Sequence, residues 1–261
     1  MPRSVGGVTG TDAVVERLRA AGCVFAEDEA ALLREAASRA ELEALVARRV
    51  AGEPLETLLG WAAFAGLRVA VAPGVFVPRW RSELLVDVAL ETLPRGGIVV
   101  ELCCGVGAVS AAISARRPDA EIWASDIDPD AVAAARRNLP PERVLAGDLF
   151  AALPDGLRGH VDALVANAPY VPTGEIAFMP AEAREYEHRV ALDGGADGHA
   201  VQARIASGCR AWLAPAGCVI IETSRRQAPR TALLLERQGL VVRTVRDEDR
   251  DATCVVATLH P

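Results

Sequence analysis

From Gly96 onward, short apolar runs alternate with stretches whose apolar residues recur every three or four positions. The runs predict strands at residues 98–100, 121–125, 144–145, 161–166 and 217–222. The stretches predict helices at 109–115, 131–138, 200–212 and 228–238. Strand–helix alternation of this kind implies a parallel sheet covered on both faces, with ligands gathered at the carboxyl ends of the strands. Two more runs, 240–245 and 253–259, flank the polar loop Asp247-Glu248-Asp249-Arg250-Asp251. They predict an antiparallel pair at one end of the sheet.

The first half of the chain reads differently. Val14, Val15 and Leu18 sit at helical spacing behind Thr11-Asp12, which can cap them, and Gly22 fits the stop. A second helix is expected to open at Asp28, with Ala31, Leu32 and Ala36 along one side. Leu42, Leu45, Val46 and Val50 mark a third, ending near Gly52-Glu53-Pro54. Alternating residues from Leu67 to Val71, a Pro73-Gly74 turn and Val75 to Val77 predict a β-hairpin. Residues 82–93 return to helical spacing.

The bulk properties narrow the field. With 261 residues and 51% hydrophobic content, the chain is long enough for one large domain or two smaller ones. A net charge of -7 disfavours non-specific coating of nucleic acid, which needs excess cations. All 28 basic residues are Arg, so no lysine chemistry is available. The six Cys form no C-x-x-C pair and no His stands at ligand spacing from them, so neither zinc nor a disulfide framework is expected. With no signal-peptide pattern and no apolar run of membrane-spanning length, a cytoplasmic location is expected.

Chemistry gathers where the predicted strands end. The first runs into Glu101-Leu102-Cys103-Cys104-Gly105-Val106-Gly107, where Gly105 and Gly107 permit a tight turn and close approach to backbone. Asp126, at the end of the second, suits the two hydroxyls of a ribose, while Asp128 suits the cap of the next helix. Asp148 ends the third and suits an adenine amino group. The fourth ends in Asn167-Ala168-Pro169-Tyr170. Up to this last motif a nicotinamide-dinucleotide dehydrogenase fits as well; such an enzyme gives that loop no role.

With that motif in place, the chain resembles the HemK/PrmC-type protein-(glutamine-N5) methyltransferases along almost its whole length. The similarity covers Gly52-Glu53-Pro54-Leu55, Pro73-Gly74-Val75, Val77-Pro78-Arg79, Glu83-Leu84-Leu85, the glycine loop, Asp126, the Asn-x-Pro-Tyr loop, Glu187 and residues 191–198. It implies a Rossmann-like, seven-stranded class I domain dependent on S-adenosylmethionine (SAM), preceded by a small helical domain and a hairpin. The implied boundaries are a substrate-recognition domain over 1–60, a linker over 61–80 and the SAM-binding domain over 81–261. Glu101, Cys103, Gly105 and Gly107 would surround the methionine part of SAM. Asp126 would hold the ribose and Asp148 the adenine edge, and Ile127, Leu149 and Asn167 would also border the cofactor. No metal is implied.

A glutamine amide nitrogen is a poor nucleophile, so it must be positioned and desolvated. On the resemblance, the Asn167 side-chain oxygen and the Ala168 carbonyl accept its two N–H bonds. Pro169 stiffens the turn and Tyr170 packs against the flat amide. The expected partner is a monomeric enzyme's protein substrate, a release factor or ribosomal protein, with no membrane and no direct nucleic-acid binding.

The chain departs from the family pattern in places. Ala168 stands where most members have Pro, as in a related subgroup whose protein substrate is unassigned. Cys103 replaces a Gly, which either narrows the SAM pocket or shows that φ is negative there. Trp80-Arg81-Ser82 replaces Pro-Glu-Thr, and His188, expected to be a surface residue, replaces Pro. Phe178 and Tyr186 are expected to pack. Two other functions stay open at this point, an adenine amino-methyltransferase and a SAM-binding module without catalysis.

Overall fold

In the computed structural model, residues 12–259 are described; Thr11 lies outside them. The chain divides into two compact units, 1–59 and 60–261. In the first, helices α1 (Ala13–Ala20), α2 (Ala26–Ala36), α3 (Arg39–Val50) and α4 (Leu55–Leu59) enclose Leu18, Ala26, Ala30, Leu33 and Val46, all fully buried. Asp12 caps α1 by accepting from the Val14 N–H at 3.1 Å, and Ser38 with Glu41 forms a capping box on α3. The second helix begins two residues before Asp28, and its buried side is Ala26, Glu29, Ala30 and Leu33 rather than Ala31, Leu32 and Ala36. Ala-rich sequence blurs the helical phase, and buried Glu29, paired with Arg49 at 2.6 Å, disguises the inner face as polar.

The second unit opens with a hairpin of β1 (Trp61–Phe64) and β2 (Leu67–Ala70). Its turn is Ala65-Gly66, not Pro73-Gly74. Both turn residues have positive φ (+50° and +83°), the twist that a two-residue hairpin requires. Gly74 instead bridges in parallel to Glu187. The hairpin is tied to the body of the unit by Asn138. Its side chain accepts from the Ala70 N–H (2.8 Å) and donates to the Ala70 and Val106 carbonyls (2.9 and 2.8 Å).

The elements that follow are α5 (Glu83–Thr92), β3 (Ile98–Leu102), α6 (Ala108–Arg116), β4 (Glu121–Asp126), α7 (Pro129–Ala135), β5 (Val144–Ala146) and β6 (Val161–Ala166). Then come α8 (Ala181–Tyr186), α9 (Ala200–Cys209), β7 (Leu213–Glu222), α10 (Ala228–Glu236), β8 (Val241–Asp247) and β9 (Ala252–Thr258). They build a seven-stranded sheet in the order β5-β4-β3-β6-β7-β9-β8, parallel except for β9. The pattern-based reading of this half holds, including the antiparallel end pair.

Both sheet faces are covered, which explains why the strands read as continuous apolar runs. Val99, Val165, Ile220 and Val256 pack with Leu85, Val88 and Ile113 on one face. Val100, Leu164, Val219 and Val255 pack with Ile205, Trp212 and Leu235 on the other. Strand order reverses between β3 and β6, and a crevice opens at their carboxyl ends at such a switch point. No helix among the described residues is long and apolar enough to cross a membrane.

Candidate functional site

A cavity of about 700 Å³ lies at this switch point. Every residue expected to meet the cofactor or the substrate amide lines it except Gly107, which shapes it from behind. The loop after β3 alternates through left-handed backbone, with φ of +54° at Cys103, +55° at Gly105 and +74° at Gly107. Cys103 therefore does not reflect a negative φ. A non-glycine residue occupies the strained region, and its side chain lines the cavity. A Cβ added at Gly105 meets no protein atom within 4 Å, whereas one at Gly107 falls 2.8 Å from Leu139. The first glycine keeps backbone open to close approach; the second lets α6 sit against the neighbouring helix.

Asp126 ends β4 and faces this loop. Its Oδ2 accepts from the Gly105 N–H and its Oδ1 from the Asp128 N–H, at 2.8 and 2.9 Å. Burial raises its pKa against those two hydrogen bonds. Asp128 caps α7 as expected, accepting from the Asp130 N–H with Pro129 in the first turn. Ile127, 55% exposed, and Leu149, in left-handed backbone at φ +49°, line the same end of the cavity. Asp148 is joined by Arg204, whose Nη2 donates to it at 2.6 Å.

Glu101 lies beneath the loop with 3% exposure. It accepts the Ser110 N–H at 2.9 Å, so it takes up one backbone donor in the first turn of α6. Burial pushes its pKa up to about 7, only partly opposed by that bond. Burial, with Asp126, Asp148 and Glu101 around it, holds the Cys103 thiol far above the ordinary range.

At the opposite side, Asn167 to Tyr170 continue from the buried end of β6. Ala168 is fully buried. Behind the loop, the Gly194 N–H donates to the Val171 carbonyl (2.8 Å), and a Cβ at Gly194 would fall 2.8 Å from the Pro169 carbonyl. Gln227 Nε2 donates to the Tyr170 carbonyl at 2.8 Å. The 191–198 segment thus backs the Asn-Ala-Pro-Tyr turn, giving its small residues a physical purpose. In front, Asn167 Nδ2 donates to Ser82 Oγ (3.3 Å), and Tyr170 Oη accepts from Arg81 Nη2 (3.0 Å). Arg81 also donates to Glu222 at 3.2 Å. Burial, and next the Glu222 charge, push the Tyr170 phenol up to about 12, so it stays protonated.

Several of these partners were invisible in the pattern. Arg81 and Ser82 registered only as departures, and Glu222 and Arg204 not at all, because their partners lie far away in sequence. His188 is no idle surface residue: its Nδ1 donates to Asp128 Oδ2 at 2.7 Å and its backbone N–H to the Gly74 carbonyl at 2.6 Å. A Cβ at Gly74 would strike its ring at 2.3 Å. Phe178, expected to pack, is 86% exposed at the end of the 3₁₀ segment Thr173–Phe178. Tyr186 is half-buried.

The arrangement can hold a nucleoside-bearing cofactor on the acids at one end and a flat amide at the other. Residues 66–183 match the methyltransferase small domain. A release factor glutamine methyltransferase of Gloeobacter violaceus is 39% identical over 81% of this chain and 77% of its own length. One of Geobacter sulfurreducens is 35% identical over 75% and 69%. Among solved structures, a methyltransferase from Pyrococcus furiosus superposes with a TM-score of 0.56 at 16% identity, covering 75% of this chain and 90% of that one, which speaks to the fold.

Proposed function

The chain belongs to the release factor glutamine methyltransferase family, and from that membership we propose that it methylates the N5 nitrogen of a glutamine in a peptide-chain release factor. The cofactor is S-adenosylmethionine, which supplies an electrophilic methyl group on a sulfonium sulfur. The residues present suit it. An open glycine backbone at Gly105, the carboxylates of Asp126 and Asp148, and Glu101 beneath the loop face one cavity.

The protein's own part is positioning. The Asn167 amide oxygen and the Ala168 carbonyl accept the two N–H bonds of the substrate carboxamide, turning its nitrogen towards the cofactor. Tyr170, pinned through its hydroxyl, gives the flat amide a fixed wall. Loss of water from the amide in this apolar-walled crevice leaves its lone pair unshielded. No strong base is needed, because the amide nitrogen becomes acidic as the new N–C bond forms and water takes the proton.

The observation carrying this reading is the convergence of the Asn167–Tyr170 turn and the two strand-end acids on a single cavity. Purified release factors from the host, incubated with the chain and methyl-labelled SAM, are expected to gain label on the glutamine of the Gly-Gly-Gln loop, located by peptide mapping. Label that appears only on nucleic acid, and vanishes with nuclease, would overturn it.

A further inference from the structure

We propose that Ser82 is a positioning residue for Asn167: its buried hydroxyl holds the amide nitrogen and leaves the amide oxygen to the substrate. The inference rests on the glutamine-methylation reading for its kinetic consequence, though not for the hydrogen bond itself. An asparagine amide presents an acceptor on one side and two donors on the other, and half a turn about its last torsion exchanges them. Only one orientation serves a site that must accept an N–H bond. The flipped amide would set donor against donor.

Ser82 Oγ lies 3.3 Å from Asn167 Nδ2, and Ser82 is 3% exposed, so little water is at hand to replace it. The hydroxyl is itself well anchored. It sits in one tight turn of 3₁₀ helix, Trp80–Ser82, whose last N–H donates to the Arg79 carbonyl at 2.9 Å. Arg79 is paired with buried Glu187, which also accepts the Val77 N–H at 3.2 Å. Arg81, the middle residue of the turn, holds Glu222 and the Tyr170 hydroxyl. A single turn thus grips both polar side chains of the Asn-Ala-Pro-Tyr loop.

Steady-state methyl transfer to a release factor, alongside calorimetric SAM binding, tests this. Ser82→Ala is expected to lower kcat about tenfold, the worth of one hydrogen bond at its upper range, with SAM affinity kept within about twofold. Ser82→Thr, which restores the hydroxyl, should recover most of the rate. In an Asn167→Ala background, Ser82→Ala should cost less than about twofold, since the residue it acts through is gone. Full additivity of the two losses would overturn the proposal. A second measurement needs no substrate: in the free chain, the Asn167 side-chain NH₂ signal should be slowed in hydrogen exchange and quickened by Ser82→Ala. An Asn167 NH₂ that exchanges equally fast in both would overturn it too. If the wild-type chain transfers no methyl group to any release factor, the functional reading fails, and the exchange measurement still decides the hydrogen bond.

Discussion

Gly105 and Asp126, 21 residues apart, are joined by a 2.8 Å hydrogen bond from the glycine N–H to the carboxylate. The acid proposed to meet the ribose is therefore also a strut for the glycine loop. Asp126→Ala removes both roles. SAM affinity is expected to fall by about 2–3 kcal/mol, the range for a charged hydrogen-bond partner, and calorimetric titration reads it directly. Asp126→Asn keeps one acceptor and should lose less.

Asn167→Ala should act on a different parameter. On the proposed function the side chain meets the reacting amide and not the strut, so kcat is expected to drop about 100-fold, as when one preorganised transition-state contact is removed. SAM affinity should stay within about twofold. Equal loss in both would contradict the division of labour between the two ends of the cavity.

Glu101 gives a pH signature. Its folded-state pKa, about 7, lies above the ordinary 4.5. A carboxyl raised in this way lends stability that is complete below pH 4.5 and lost as pH rises through 7. Thermal melts of the cofactor-free chain should therefore weaken between about pH 4.5 and 7 through this group, and Glu101→Gln should flatten that slope. On the proposed placement of Glu101 by the methionine part of SAM, a sulfonium would favour the ionised form, so preference for SAM over its neutral-sulfur product should grow as pH rises through about 7 and fade in Glu101→Gln.

Cys103 should be chemically quiet. Reactivity needs thiolate, and burial beside three carboxylates suppresses it. Alkylation by iodoacetamide at pH 8, followed by mass mapping, should leave Cys103 unmodified in the folded chain and modify it after denaturation. Prompt labelling of the native protein would mean that the thiol is less shielded than its neighbours imply.

The carboxyl-terminal half was largely legible because the central strands β3, β6 and β9 are buried on both faces and the crossovers are punctuated by Gly, Pro or Asp. The acids at strand ends were legible for the same reason: polar residues closing apolar runs stand out. Contacts of long sequence separation were not. Arg81 meets Glu222 across 141 residues, and nothing local in Trp80-Arg81-Ser82 announces it. The hairpin was misplaced because Pro73-Gly74 is the stronger turn signal on paper, while Ala65-Gly66 satisfies the geometry with only one glycine. Phe178 was misjudged because aromatic residues usually pack, and no pattern within a six-residue turn reveals that this one does not.

Asn138 clasps the hairpin edge at Ala70 and the glycine loop at Val106 with the same carboxamide. A displacement of the hairpin edge therefore cannot leave the Val106 carbonyl, in the loop that lines the cavity, with its present partner in place.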